Sequence, residues 1–276
     1  MAFDGLRVLS LESRRAAEIE KLIRAQRGEP FVAPSMREVP LGENPAAFAF
    51  AERLFRGEFD MLILLTGVGT RLLNQTLDVR YPPGALAEAL RRITVVARGP
   101  KPVAVLREWG LTPSITVPEP NTWREILAAI DGRPEHRIAI QEYGRPAVEL
   151  VAALRDRGAE VTSVPVYQWD LPLDCAPLRE AVRRAAGGEF DVIVFTTSIQ
   201  ISHLFRIAAE QHAEDALRGA LPRMVIASVG PTTTETLAEF GLKPDLEPSH
   251  PKMGFLINET AARATEILAA KRGAAK

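Results

Sequence analysis

"GEFDMLILLTGVGTRLL" (57–73) and "GEFDVIVFTTSIQISHL" (188–204) begin with the same four residues, 131 positions apart. In each, Gly-Glu-Phe-Asp opens onto an uninterrupted apolar run, then threonine, then a stretch with helical spacing. An apolar run of strand length without alternation is what a strand buried on both faces looks like, as in a parallel sheet covered by helices. At the same separation Thr66 meets Thr197, Gly99-Pro100 meets Gly230-Pro231, Leu106 meets Leu237, Glu108 meets Glu239, Gly110-Leu111 meets Gly241-Leu242 and Pro113 meets Pro244. Toward the N-terminus a separation of 130 pairs Arg7 with Arg137, Glu12 with Glu142, Arg15 with Arg145 and Arg27-Gly28 with Arg157-Gly158. Chance supplies one tetrapeptide. A series in one register is the mark of an internal duplication.

The rest of the chain fits that frame. "LRVLSL", "ITVVA", "HRIAIQE" and "MVIAS" each lead into a helix-like segment, so βα units recur throughout. The expected fold is α/β: two similar domains, each a parallel sheet flanked by helices. Spacing alone would divide the chain near Gly132. A length of 276 residues suits two domains. Lys plus Arg number 34 and Asp plus Glu 35, a balance that argues against a nucleic-acid partner. No apolar run approaches the roughly 20 residues of a membrane span, and "MAFDGLRVLSLESRR" lacks the pattern of a secretory signal. The single cysteine, Cys175, forms no internal disulfide and fits a reducing cytoplasm.

In open α/β sheets ligands sit beyond the carboxyl ends of the strands. The turns to watch are therefore 11–15, 66–70, 97–101, 141–145, 196–200 and 228–234, facing a cleft between two domains. In "ASVGPTTTETLAEFG" (227–241), Gly230 allows a tight turn and Pro231 starts a helix. Thr232, Thr233 and Thr234, with the free amides there, form an anion site, or one threonine caps the helix with help from Glu235; both readings stand. "TGVG" (66–69) lacks the third glycine of a dinucleotide loop, since Leu72 holds that place, so its glycines are read as letting a ligand approach the backbone. His136, His203, His212 and His250 are scattered, so no metal site is expected. No Gly-x-Ser-x-Gly elbow is present. Arg91-Arg92 and Arg183-Arg184 read as solvated helix faces, whereas Arg14-Arg15 follow a strand end and look toward the cleft. Tyr167, in "VPVYQWD" (164–170), reads by itself as a sheet-packing aromatic.

Taken in order, "TGVGTRLL", "ARGPKPVAVLREWGL", "VPVYQW", "DVIVFTTSIQISHLF" and "ASVGPTTTETLAEFGLKPD" resemble the uroporphyrinogen-III synthase family over roughly residues 5–265. The resemblance implies two parallel α/β domains joined by a two-stranded linker that the chain crosses twice. Residues 1–36 with 172–276 would form one domain and 38–168 the other, with linkers near 37 and 169–171. It implies cyclisation of hydroxymethylbilane, with loss of water and inversion of the last ring, by a cytoplasmic monomer with no cofactor, metal, nucleic acid or membrane. The alternative is a non-catalytic tetrapyrrole- or small-anion-binding module on the same fold. The resemblance makes Tyr167 the proton donor. It places Thr66, Gly67, Val68, Thr197, Ser198, Thr232 and Thr233 on the substrate and Arg14 on a substrate carboxylate. Arg98, Lys101, Arg145 and Lys252 join them by their positions after strands. Many members have Ser-Pro after the threonine where this chain has "TGVG", and "TTSIQIS" departs likewise, which leaves gripping there to backbone amides.

Overall fold

The structure, a computed structural model, describes residues 2–41, 44–142, 144 and 146–274. In chain order it contains β1 (Arg7–Ser10), α1 (Ala16–Ala25), β2 (Glu29–Val32), β3 (Arg37–Pro40), α2 (Pro45–Phe55), β4 (Met61–Leu64), α3 (Gly67–Leu77) and α4 (Ala85–Leu90). There follow β5 (Thr94–Ala97), α5 (Pro100–Glu108), β6 (Ile115–Thr116), α6 (Trp123–Ala129), β7 (Arg137–Gln141), α7 (Val148–Asp156), β8 (Glu160–Val164) and β9 (Tyr167–Asp170). The chain ends with α8 (Ala176–Ala186), β10 (Val192–Phe195), α9 (Ile199–Glu210), α10 (Glu214–Ala220), β11 (Val225–Ser228), α11 (Pro231–Glu239) and α12 (Met253–Ala274). Among the described residues no helix is long and apolar enough to cross a membrane.

Two compact units result, Met1–Arg37 with Asp170–Lys276, and Glu38–Trp169. The first holds a parallel sheet in the order β11-β10-β1-β2 and the second a parallel sheet in the order β6-β5-β4-β7-β8. Strands β3 and β9 pair as a separate two-stranded sheet, where the chain passes from one unit to the other and back.

Each strand run is apolar throughout because each sheet is covered on both faces. Side chains alternate along a strand, and the two sets enter different cores. Leu62 and Leu64 of β4 join one cluster with Phe50, Leu73 and Leu106, while Met61 and Ile63 join another with Ile126, Ile138 and Leu150. In the other unit Ile193 and Phe195 pack with Leu178 and Leu204, while Val192 and Val194 pack with Ile19, Leu256 and Ile257.

The duplication is repeated register by register. Met61 lies opposite Thr94 and Leu64 opposite Ala97; 131 residues on, Val192 lies opposite Val225 and Phe195 opposite Ser228. Val8 opposite Val192 is matched by Ile138 opposite Met61. Even the short edge strand has its counterpart, for Val96 pairs with Ile115 and, 131 residues on, Ala227 bridges to Leu246, both parallel.

The two repeats are nevertheless not the two folded units. The opening β1-α1-β2 corresponds to β7-α7-β8, and β4-to-β6 corresponds to β10 and β11. Each unit takes one piece from each copy. The chain therefore divides at Arg37/Glu38 and Trp169/Asp170, and not near Gly132 as spacing suggested. The reason is that β1 completes its hydrogen bonding with β10. Spacing records which segments are alike and is blind to which of them pair.

Candidate functional site

All strands of each sheet are parallel, so the turns after them gather along one edge. In the second unit the strand order reverses between β4 and β7, and in the first between β1 and β10. Such switch points leave a crevice where the chain departs in opposite directions.

At the β4/β7 switch, Thr66 caps α3, its Oγ1 accepting the Gly69 amide at 3.0 Å. The same oxygen lies 3.3 Å from the Tyr167 hydroxyl. The Thr66 amide donates to Gln141 Oε1 at 3.3 Å, and Gln141 Nε2 donates to the Glu142 carbonyl. Gln141 is fully buried and Tyr167 is 2 % exposed. The Tyr167 ring packs in the apolar cluster of that face, edge-on to Trp169 at 6.2 Å. Its ring thus behaves as a core aromatic, while its hydroxyl meets the cap of α3.

The reading of "TGVG" needs correction. A Cβ on Gly69 would overlap the Gln141 side-chain amide, and one on Gly67 would sit 2.9 Å from the Lys101 carbonyl oxygen. The space these glycines vacate is filled by the protein itself, not kept for a ligand. Gly67 is buried and Val68 half-buried at the start of α3. Arg98 is half-buried and Lys101 exposed, at the turn from β5 into α5. Arg145 lies outside the described residues.

At the β1/β10 switch the hub is Thr196, a residue away from the two expected there. Its hydroxyl donates to Glu12 after β1, its amide donates to Gln200 Oε1 at 2.8 Å, and Gln200 Nε2 returns a bond of 2.8 Å. Glu12 Oε1 also accepts the Arg15 amide at 3.1 Å. Arg14 is exposed on that turn, next to Ser13, whose Oγ accepts the amides of Ser35 and Met36 at 3.0 Å each. Thr197 is half-buried and Ser198 is 5 % exposed at the start of α9. Nearby, burial lowers the pKa of His203; its Nδ1 lies 2.6 Å from the Ser35 carbonyl, so the neutral ring donates there.

At α11 the structure changes both readings of the three threonines. The residue at the N-cap is Gly230, so no side chain caps the helix from that position. The amides of Thr233 and Thr234 both turn back on the Gly230 carbonyl, 3.0 Å away. The Thr234 hydroxyl bonds Ser228 Oγ at 3.0 Å and Glu247 at 2.6 Å, holding the turn closed. Among the described residues, the Thr232 amide and the hydroxyls of Thr232 and Thr233 enter no such bond. Thr233 is 3 % exposed, which leaves Thr232 the more accessible of the two. Lys252 is exposed ahead of α12, next to Pro251, which packs on Gly230.

Thr66, Gln141 and Tyr167 thus form one connected group, and Glu12, Thr196 and Gln200 another. Thr232 and Thr233 share the sheet edge of the second group. Of the residues the sequence did not single out, Glu12 was signalled by its pairing with Glu142 at a separation of 130. Gln141, Thr196 and Gln200 lie in the strand-end turns 141–145 and 196–200 that the sequence marked, but nothing set them apart within those turns, because a buried amide or hydroxyl looks like any other polar residue until its partner is known. Among the described residues no group of three or more His, Cys, Asp or Glu side chains is placed to hold a metal ion.

Comparison with known proteins bears on this arrangement. A model of the family described as "Uroporphyrinogen-III synthase HemD" matches residues 17–258. "Uncharacterized protein YjjA" of Bacillus subtilis is 29 % identical over 263 residues, covering 93 % of this chain and 95 % of that one. "Putative uroporphyrinogen-III synthase" of Methanothermobacter thermautotrophicus is 29 % identical over 231 residues, covering 83 % and 87 %. A crystal structure of a mutant uroporphyrinogen III synthase from the extreme thermophile Thermus thermophilus superposes with a TM-score of 0.72 at 26 % identity, covering 95 % of this chain and 100 % of the other.

Proposed function

The chain belongs to the uroporphyrinogen-III synthase family, and from that membership we propose that it closes the linear tetrapyrrole hydroxymethylbilane into a ring, with loss of water and inversion of the last pyrrole. The observation that carries the proposal is the 3.3 Å contact between the Tyr167 hydroxyl and Thr66 Oγ1 at the β4/β7 switch point.

Thr66 Oγ1 already accepts the Gly69 amide. Its own proton is then free to point at the Tyr167 oxygen. In that arrangement the Tyr167 oxygen accepts from Thr66, and the phenol O–H is the donor offered to the substrate. Tyr167 delivers that proton to the departing hydroxyl of the substrate. The C–O bond breaks, water leaves, and an azafulvene cation remains. The last ring attacks through its substituted carbon to give a spiro intermediate. Rearrangement and ring closure release a proton that restores the phenol. A phenol is a weak acid, so the larger share of catalysis is positioning.

The substrate carries two carboxylates on each pyrrole. The Thr232 amide and hydroxyl, the Thr233 hydroxyl, the α3 turn at Thr66, Gly67 and Val68, and Thr197 and Ser198 supply donors for them. Arg14, Arg98, Lys101, Arg145 and Lys252 supply charge. Tyr167 is 2 % exposed, so the substrate reaches it at the hydroxyl end or after a local opening of the Thr66–Thr70 turn. The reading places the reaction in the cytoplasm and calls for no metal or cofactor.

The test is to supply freshly made hydroxymethylbilane and resolve the macrocycle isomers after oxidation. The inverted isomer in excess over a buffer blank is expected. Formation of the non-inverted isomer alone would leave only a binding module on this fold. Tyr167→Phe should lower kcat by about tenfold to a hundredfold, the low end for general acids, with KM little changed. Unchanged turnover removes Tyr167 from the chemistry.

A further inference from the structure

At the opposite edge of the second unit's sheet, where β4, β5 and β7 begin, lies a cavity of about 910 Å³. Its walls are the end of α2 and the length of α4, and it lies within the Glu38–Trp169 unit. Phe55 and Tyr81 form one wall as an edge-to-face pair with centroids 4.8 Å apart. Four arginines line it against two carboxylates, Asp60 and Glu88.

Those arginines are not equivalent. Arg137 is held by Asp60, and Arg56 by Glu58 at 2.6 Å. Arg91 reaches Glu88 only at 3.4 Å, with both side chains more than half exposed. Among the described residues Arg92 enters no ion pair. The cavity therefore offers an apolar aromatic wall with two adjacent cations at its mouth.

The duplicated unit supplies an internal control. At a separation of 131, Asp60 corresponds to Asp191 and Phe59 to Phe190, and Arg137 corresponds to Arg7 at 130. The Arg7–Asp191 pair recurs at 3.2 Å, so that part of the lining belongs to the scaffold. The remainder differs: Phe55, Arg56, Tyr81 and Arg91 stand where the other copy has Ala186, Gly187, His212 and Pro222. There α8 and α10, the counterparts of α2 and α4, pack closely, whereas α2 and α4 touch only sparsely. Arg92 has a counterpart in Arg223, so it is Phe55, Arg56, Tyr81 and Arg91 that are particular to the copy that holds this cavity.

We propose that this cavity is a second binding site, remote from the carboxyl edge of the sheet, for a planar aromatic anion whose ring lies on Phe55 and Tyr81 and whose carboxylate is held by Arg91 and Arg92. A volume of this size is within the usual range for small-molecule sites, and arginine is suited to paired contacts with a carboxylate. The site is independent of the reaction proposed above.

Isothermal titration of the full chain with 2-naphthoate tests this. Saturable binding is expected, with methyl 2-naphthoate and acetate each weaker by about tenfold or more, since the first lacks the charge and the second the ring. Arg91→Ala with Arg92→Ala, and separately Tyr81→Ala, should weaken 2-naphthoate by about tenfold. Arg223→Ala, at the position matching Arg92 in the other copy, should leave binding unchanged. The ester and acetate arms use the unaltered protein, so they stand even where a variant fails to fold. Absence of saturable binding, equal binding of acid and ester, or loss with Lys101→Ala in place of the arginine variants would each overturn the proposal.

Discussion

Gly69 has no room for a methyl group. The Gln141 side chain fills the place a Cβ would take, and Gln141 is held there by the Thr66 amide and the Glu142 carbonyl. Gly69→Ala should destabilise the protein by about 1–3 kcal/mol, the usual cost of overpacking, and Gln141→Ser in the same chain should restore part of the loss in a denaturant titration. Equal stability of Gly69→Ala and the parent would contradict the packing described. Asp60 makes a different point. Its hydrogen bond from Arg137 holds its pKa at about 2, against 3.8 for a free carboxyl. A lowered carboxyl pKa adds stability above the unfolded value and loses it as pH falls through the folded one. Asp60→Asn should therefore lower Tm by a constant amount above about pH 4, and the difference should fade toward pH 2. A gap that persists at pH 2 would mean the aspartate acts through something other than its charge. Residues of this kind were only partly legible. The repeat marked Glu12 and Asp60 without saying what they do, and the strand end marked the 141–145 turn without setting Gln141 apart within it.

At the scale of elements the sequence was far more informative. Continuous apolar runs such as 61–65 and 192–195 identify strands covered on both faces, and they are strands with two cores. Leu62 and Ile63 are neighbours on β4 that face opposite cores. Leu62→Ala and Ile63→Ala should each cost about 2–5 kcal/mol in denaturant unfolding, and the two costs should be close to additive because the cavities open on different sides of the sheet. A large cost for one and none for the other would mean the sheet is covered on a single face. Helix mouths were less legible. "GPTTT" has the letters of a cap or an anion site, yet the assignment of each hydroxyl depends on residues far along the chain. Glu247, which takes the Thr234 hydroxyl, lies 13 positions on. Pattern reading handles periodicity within a segment well and handles partners chosen by tertiary folding poorly.

For the whole molecule, the repeat gave the architecture of each sheet but not the assignment of segments to units. The Glu38–Trp169 unit is contiguous and has its own two cores. Residues 38–169 alone should fold, with a single cooperative thermal transition by circular dichroism. A permuted chain that runs 170–276, then a flexible linker, then 1–37 should do the same for the other unit. Failure of 38–169 to melt cooperatively would show that the units are not independent.

The interleaving has a further consequence for how the protein is made. The opening β1-α1-β2 segment leaves the ribosome with the hydrogen-bonding edge of β1 unsatisfied, and its partner β10 is not synthesised until after residue 191. At ordinary elongation speeds that wait is on the order of ten seconds or more. Meanwhile the second unit is completed and can fold. A segment translated later is thus what closes the earlier one, and the nascent β1-α1-β2 segment, with an open strand edge, is the natural client for whatever guards unfinished chains.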